Sequence, residues 1–207
     1  MSSKHILLGA IIASIAACHP DQPAPTAVDV SVPLFAVGGN QDFNIGTHLS
    51  GAEEVFTAPP PTPADSRAQG QATFRVSDSE DAVQFKLIAS NIDNVVMAHI
   101  HCGAAGTNGP VSMWLYPVIG TTGGPAAPGA GAHNGVLAQG TFSPAGVICP
   151  ASAVGQDMPL LDAIRAGLTY VNVHTNDGAG ATNTGPGDFL SGEIRGQLDH
   201  ASGHAKN

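Results

Sequence analysis

Apolar and polar residues alternate with a period of two through most of the middle of the chain, and that period predicts strands. Val83, Phe85 and Leu87 alternate with Gln84, Lys86 and Ile88, so successive side chains point to opposite faces. Ala72, Phe74 and Val76 share one face of residues 71–76. Residues 43–49, 95–101, 111–116, 136–142, 170–174 and 191–198 read in the same way, with turn residues between them such as Asn108-Gly109-Pro110. Residues 158–166 alone show helical spacing, carried by Leu160, Leu161, Ile164 and Leu168, with Gly167 as the stop. About eight or nine short strands and one short helix predict an all-β fold, an antiparallel Greek-key-like β-sandwich.

The N-terminus follows a different pattern. Lys4 precedes an apolar run from Ile6 to Ala17, broken only by Gly9 and Ser14. A bilayer span needs about 20 apolar residues, so this run is too short to cross. A charged start and a short apolar core mark an export signal. The run ends Ile15-Ala16-Ala17-Cys18, which resembles the bacterial lipobox, where small residues precede a cysteine that is lipidated and becomes the first of the mature chain. Residues 1–17 are therefore read as a lipoprotein signal peptide and Cys18 as the lipidation site, which places the protein on the cell envelope, outside the cytoplasm. Cleavage elsewhere is the competing reading. Pro20, Pro23, Pro25 and Pro33 make residues 18–41 a tether. Residues 42–199 form the domain, and 200–207 a tail.

Charge removes one class of partner. Seven Lys and Arg stand against 16 Asp and Glu, whereas nucleic-acid binding needs basic patches that displace counterions. The 26 glycines and 16 prolines fit short strands joined by many turns. With Cys18 lipidated, Cys102 and Cys149 remain, and an even pair in an exported protein predicts a disulfide. A metal-binding thiolate at Cys102 is the alternative.

Candidate chemistry centres on His99-Ile100-His101. Two histidines one residue apart on a strand share a face, with Met97 beside them. In Tyr170-Val171-Asn172-Val173-His174, Asn172 and His174 share the face opposite Val171 and Val173. His99, His101 and His174 thus make a candidate metal site, and imidazole donors suit copper or zinc. Met97 is a candidate soft extra ligand and Glu193 a hard one. The same pattern also fits histidines that hold loops by hydrogen bonds or simply meet water. Arg195, two residues from Glu193, is expected to pair with a carboxylate and order the sheet. No phosphate loop and no Gly-x-Ser-x-Gly elbow occurs in the chain.

Four motifs occur in a familiar order. They are Leu49-Ser50-Gly51-Ala52-Glu53-Glu54-Val55; Ala98-His99-Ile100-His101 with Gly106 and Asn108-Gly109-Pro110-Val111; Tyr170-Val171-Asn172-Val173-His174-Thr175; and Gly192-Glu193-Ile194-Arg195-Gly196-Gln197-Leu198. Over roughly residues 43–198 the chain resembles the CHRD domain, the repeat named after chordin. Animal members are extracellular antagonists of growth factors, a role that does not transfer to an anchored bacterial protein. For bacterial members the resemblance implies a secreted β domain without a settled activity. A His-x-His strand in a Greek-key sandwich also resembles copper–zinc superoxide dismutase, but the ligand set that enzyme needs is missing here. The expectation is a binding or interaction module with an unidentified protein partner. A copper- or zinc-binding protein is the alternative, and a metal-dependent oxidoreductase, with no acid–base set behind it, comes last. The loops at 117–134 and 176–188 are longer than the family pattern and flank the histidine face.

Overall fold

A computed structural model of the chain describes residues 44–198. The export signal, Cys18, the tether and the tail lie outside them. Ten strands are present: β1 (Asn44–Ser50), β2 (Gln69–Val76), β3 (Val83–Asp93), β4 (Val95–Cys102), β5 (Val111–Tyr116), β6 (Ala132–Phe142), β7 (Ile148–Cys149), β8 (Met158–Pro159), β9 (Thr169–Thr175) and β10 (Ile194–Leu198). Two short helices, α1 (Ala151–Val154) and α2 (Leu160–Arg165), lie between β7 and β9.

The all-β antiparallel expectation holds. Eight strands form one sheet in the order β5-β4-β9-β10-β1-β2-β3-β6, every pairing antiparallel, and β7 and β8 form a second small sheet. The two layers expected of a sandwich are opposite sides of this one sheet, which nearly closes on itself. Its terminal strands β5 and β6 meet where Ile119, just past β5, packs over Gly140 of β6.

The enclosed face carries the alternating apolar residues. Leu49, Phe74, Phe85, Leu87, Ile100, Val171 and Ile194 are all buried there. Phe85 stacks on Phe74 with ring centroids 6.2 Å apart and meets Phe142 at 6.1 Å. Each such side chain contributes roughly 1.5–3 kcal/mol on leaving water. Leu160, Leu161, Ala163 and Ile164 of α2 complete this core.

Two helices replace the single one expected. A residue before proline is pushed to extended backbone, so Met158 and Pro159 pair with Ile148 and Cys149 instead of starting the helix. The helix runs from Leu160 to Arg165 and is followed, after Ala166, by Gly167, whose φ is +68°. One-turn α1 ends at Gly155 in the left-handed region and is too short to show a period. Strand β6 begins four residues before the alternation at Val136, inside a Gly- and Ala-rich stretch. At the sharp passage from β3 to β4, Asn94 adopts φ +55°, which Asn tolerates better than most residues. Its side chain accepts from Gly131 N at 2.9 Å and donates to Gly187 O at 3.2 Å.

Cys102 and Cys149 form the expected disulfide, Cα atoms 5.4 Å apart. It ties the end of β4 to the segment ahead of α2 and removes Cys102 from any set of thiolate ligands.

Candidate functional site

Three central strands, β4, β9 and β10, carry a second buried surface on the face away from the apolar core. Their register aligns two polar rows. His99, Asn172 and Arg195 form one, and His101, Tyr170 and Gln197 the next. Met97 stands opposite His174 in register, so His174 meets His99 on a diagonal. Every residue of β9 is buried, because loops cover this face too.

Two of the covering loops contribute a backbone oxygen each. Residues 103–110 fold back on β4, and His101 Nδ1 lies 2.8 Å from Gly109 O. Only glycine fits there, since a Cβ on Gly109 would stand 1.6 Å from Cys102 O. From the long loop after β9, Leu190 O lies 2.9 Å from His174 Nδ1. Both carbonyls are acceptors, so each ring donates its Nδ1–H and keeps a lone pair on Nε2. Loop 117–134 reaches the site through Trp114, whose ring meets His99 edge-on, centroids 4.2 Å apart, and packs against Gly123.

His99, His101 and His174 converge. One ligand nitrogen from each lies within 4.8 Å of the others. His99 Nδ1 is 3.2 Å from His174 Nε2, which is itself 2.9 Å from Asn172 Oδ1. The Nε2 atoms of His99 and His101 are buried without a hydrogen-bond partner. Burial pushes the His99 pKa down to about 3, reinforced by His174 and His101. His174 falls to about 4, again chiefly by burial, against the Leu190 carbonyl that favours its charged form. Burial also lowers His101, opposed by the Gly109 bond. Three neutral imidazoles with free lone pairs result, the form in which histidine binds metals.

Glu193 does not join them. Its carboxylate accepts from Ser66 Oγ at 2.5 Å, Thr175 Oγ1 at 2.6 Å and the Gly187 backbone N at 2.9 Å. It fastens the loop after β9 rather than facing the imidazoles. Arg195 also departs from expectation. Among the described residues no carboxylate lies within ion-pair distance of it. Its guanidinium donates to Thr107 O at 2.9 Å, Ala104 O at 3.3 Å and Asn108 Oδ1 at 3.3 Å. It also lies over the Tyr170 ring, 3.4 Å from the centroid. Loop carbonyls and an aromatic face supply the negative potential that a carboxylate was expected to supply.

Two further residues complete the site. Burial raises the Glu54 carboxyl to about 8, against Arg195 and the Asn172 side chain, which both lower it. Gly192 makes room for this carboxyl, because a Cβ there would stand 2.5 Å from Glu54 Oε1. Asn172 Oδ1 lies 2.9 Å from His174 Nε2, and its side chain is near those of Glu54 and His101. Its place on the His174 face is legible from strand alternation. That of Glu54 is not, since it lies outside any strand.

Searches of curated proteins and of solved structures return no match. The family model for the CHRD domain matches residues 45–198, which contain every site residue described above and all of the strands but for Asn44, the first residue of β1, and the chain belongs to the CHRD domain family.

Proposed function

We propose that this CHRD domain is a binding module whose ligand is a divalent transition-metal ion, copper(II) or zinc(II), held by His99, His101 and His174. One observation carries the reading: the Nδ1 atoms of His101 and His174 are engaged by Gly109 O and Leu190 O. Metal-binding histidines use their second nitrogen in this way, which orients the ring and leaves the other nitrogen basic. Isolated structural histidines have no need of three converging imidazoles in a buried site, and the lone pair on His101 Nε2, buried without a partner, costs free energy when nothing fills the space.

Titration of the full chain with Cu(II) and Zn(II) tests it. Trp114, the one tryptophan, abuts His99, so Cu(II) is expected to quench its fluorescence at one equivalent. His99→Ala, His101→Ala and His174→Ala are each expected to weaken binding. Equal binding by wild type and all three variants rejects the site.

The same proposal places the module on the outer side of a membrane, held by lipid on Cys18 and available to a protein partner. It is supported by the apolar run ending at Cys18 and by the disulfide, which persists in oxidising compartments. Mass spectrometry of the membrane fraction is expected to find a mature chain starting at lipidated Cys18; a soluble chain starting elsewhere refutes the anchor.

A further inference from the structure

We infer that Asn172 is a fourth ligand, giving the metal through Oδ1 a closed shell of three nitrogens and one oxygen. The inference rests on the three-histidine reading and extends it to the chemistry of the complete site.

The argument begins with protons. His174 donates from Nδ1 to Leu190 O, so its Nε2 carries a lone pair. Asn172 Oδ1, also an acceptor, lies 2.9 Å from that Nε2. Two acceptors at this distance with no proton between them repel. His101 repeats the situation. Its Nδ1 proton goes to Gly109 O, its Nε2 has no partner, and it too meets the Asn172 side chain. With its proton on Nε2, His99 adds a fourth ligating atom in Nδ1, 3.2 Å from His174 Nε2.

Rotating the amide would bring its NH2 to His174 and relieve the repulsion, but in the structure it is Oδ1 that faces His174 Nε2, at 2.9 Å. A cation at the convergence point turns the repulsion into coordination. In a tetrahedral site with bonds of about 2.0–2.1 Å, neighbouring ligand atoms are roughly 3.3 Å apart. The 2.9 Å and 3.2 Å separations are close to that edge.

The consequence is chemical. Four protein ligands leave a tetrahedral ion no open position, the mark of a site that holds metal rather than one that activates water. Three imidazoles and a hard amide oxygen favour Zn(II) or Cu(II) over Cu(I), which prefers soft sulfur.

The test uses Zn(II) affinity and the visible spectrum of bound Co(II), measured on the full chain for wild type, Asn172→Leu, Asn172→Asp and His174→Ala. Asn172→Leu is expected to weaken Zn(II) binding at least roughly tenfold, with altered Co(II) bands as water replaces the lost oxygen. Asn172→Asp keeps an oxygen in place and adds charge, so it is expected to bind at least as tightly as wild type. Urea unfolding of Asn172→Leu, with a midpoint kept near that of wild type, separates loss of the ligand from loss of the fold. Unchanged affinity and spectrum in Asn172→Leu, with binding lost in His174→Ala, would overturn the fourth ligand and leave the three-histidine site standing. Weaker binding by Asn172→Asp would overturn it too, by showing that the amide donates to His174. No metal bound by wild type would remove the underlying reading itself.

Discussion

His101 lies flat against Tyr170, ring planes 8° apart and centroids 4.9 Å apart. The Tyr170 hydroxyl accepts from the Gly109 backbone N at 3.1 Å, and Gly109 O in turn holds His101 Nδ1. Tyr170 therefore positions the same imidazole twice, through its ring and through the loop. The two contributions separate by mutation. Tyr170→Phe keeps the stack and leaves Gly109 N without its partner, so it is expected to cost about 1–2 kcal/mol in urea unfolding with little change in metal affinity. Tyr170→Leu loses the stack as well and is expected to weaken both stability and Zn(II) binding.

Arg195 sits on Tyr170 and is almost wholly buried. It gathers the carbonyls of residues 104 and 107 and the amide of Asn108, and so fastens to β10 the loop that carries Gly109. The arginine fork makes several directed bonds that a lysine cannot reproduce. Arg195→Lys is expected to lower stability by about 2–3 kcal/mol, read as a lower urea midpoint at unchanged slope. A midpoint unmoved in Arg195→Lys would show that these bonds do not hold the loop.

Cys102 follows His101 on β4, and its partner Cys149 is 47 residues away in sequence. In the chain-entropy treatment a cross-link enclosing a loop of that size contributes about 4 kcal/mol. Cys102→Ser with Cys149→Ser is expected to lose stability on that scale. Under denaturing, non-reducing conditions the wild type is expected to show neither thiol as reactive; two reactive thiols would refute the bond.

The strands and the histidine face were legible because both depend on a period of two. Val83–Leu87 alternates, and so do His99 and His101, whatever their partners. What alternation cannot reveal is which strands are neighbours. His174 reaches His99 only because β9 pairs with β4 across 75 residues of chain. Glu54 and the carbonyls of Gly109 and Leu190 belong to loops, where no period exists. One local rule sharpens the reading: Pro159 marks the late start of α2. Alternation already puts Asn172 on the His174 face, but not beside the imidazoles of β4. The expected carboxylate for Arg195 failed for a physical reason: a buried guanidinium can be satisfied by carbonyl oxygens and an aromatic ring, and sequence proximity to Glu193 does not decide between these partners.

The pH dependence of the metal-free chain follows from buried groups of opposite sign. His99 and His174 have pKa values near 3 and 4, and His101 is lowered too, all mainly by burial. In the unfolded chain these imidazoles take up protons below about 6.5 while the folded protein does not. Their stabilising effect is therefore present above about pH 6.5 and is lost as pH falls toward the folded values. Glu54 acts in the other direction. Unfolded, it ionises near 4.5; folded, burial holds its proton to about 8. As pH rises between those values the unfolded state gains. From pH 4.5 to 6.5 three imidazoles oppose one carboxyl, so stability rises with pH. Above 6.5 the carboxyl acts alone and stability falls until about pH 8, with a limiting slope of about 1.4 kcal/mol per unit for one proton. Urea unfolding from pH 4.5 to 9 is expected to show a maximum near 6.5. Glu54→Gln is expected to keep the acid limb and flatten the decline above the maximum. A wild-type curve that keeps rising to pH 8 would mean that Glu54 is ionised in the folded protein at neutral pH.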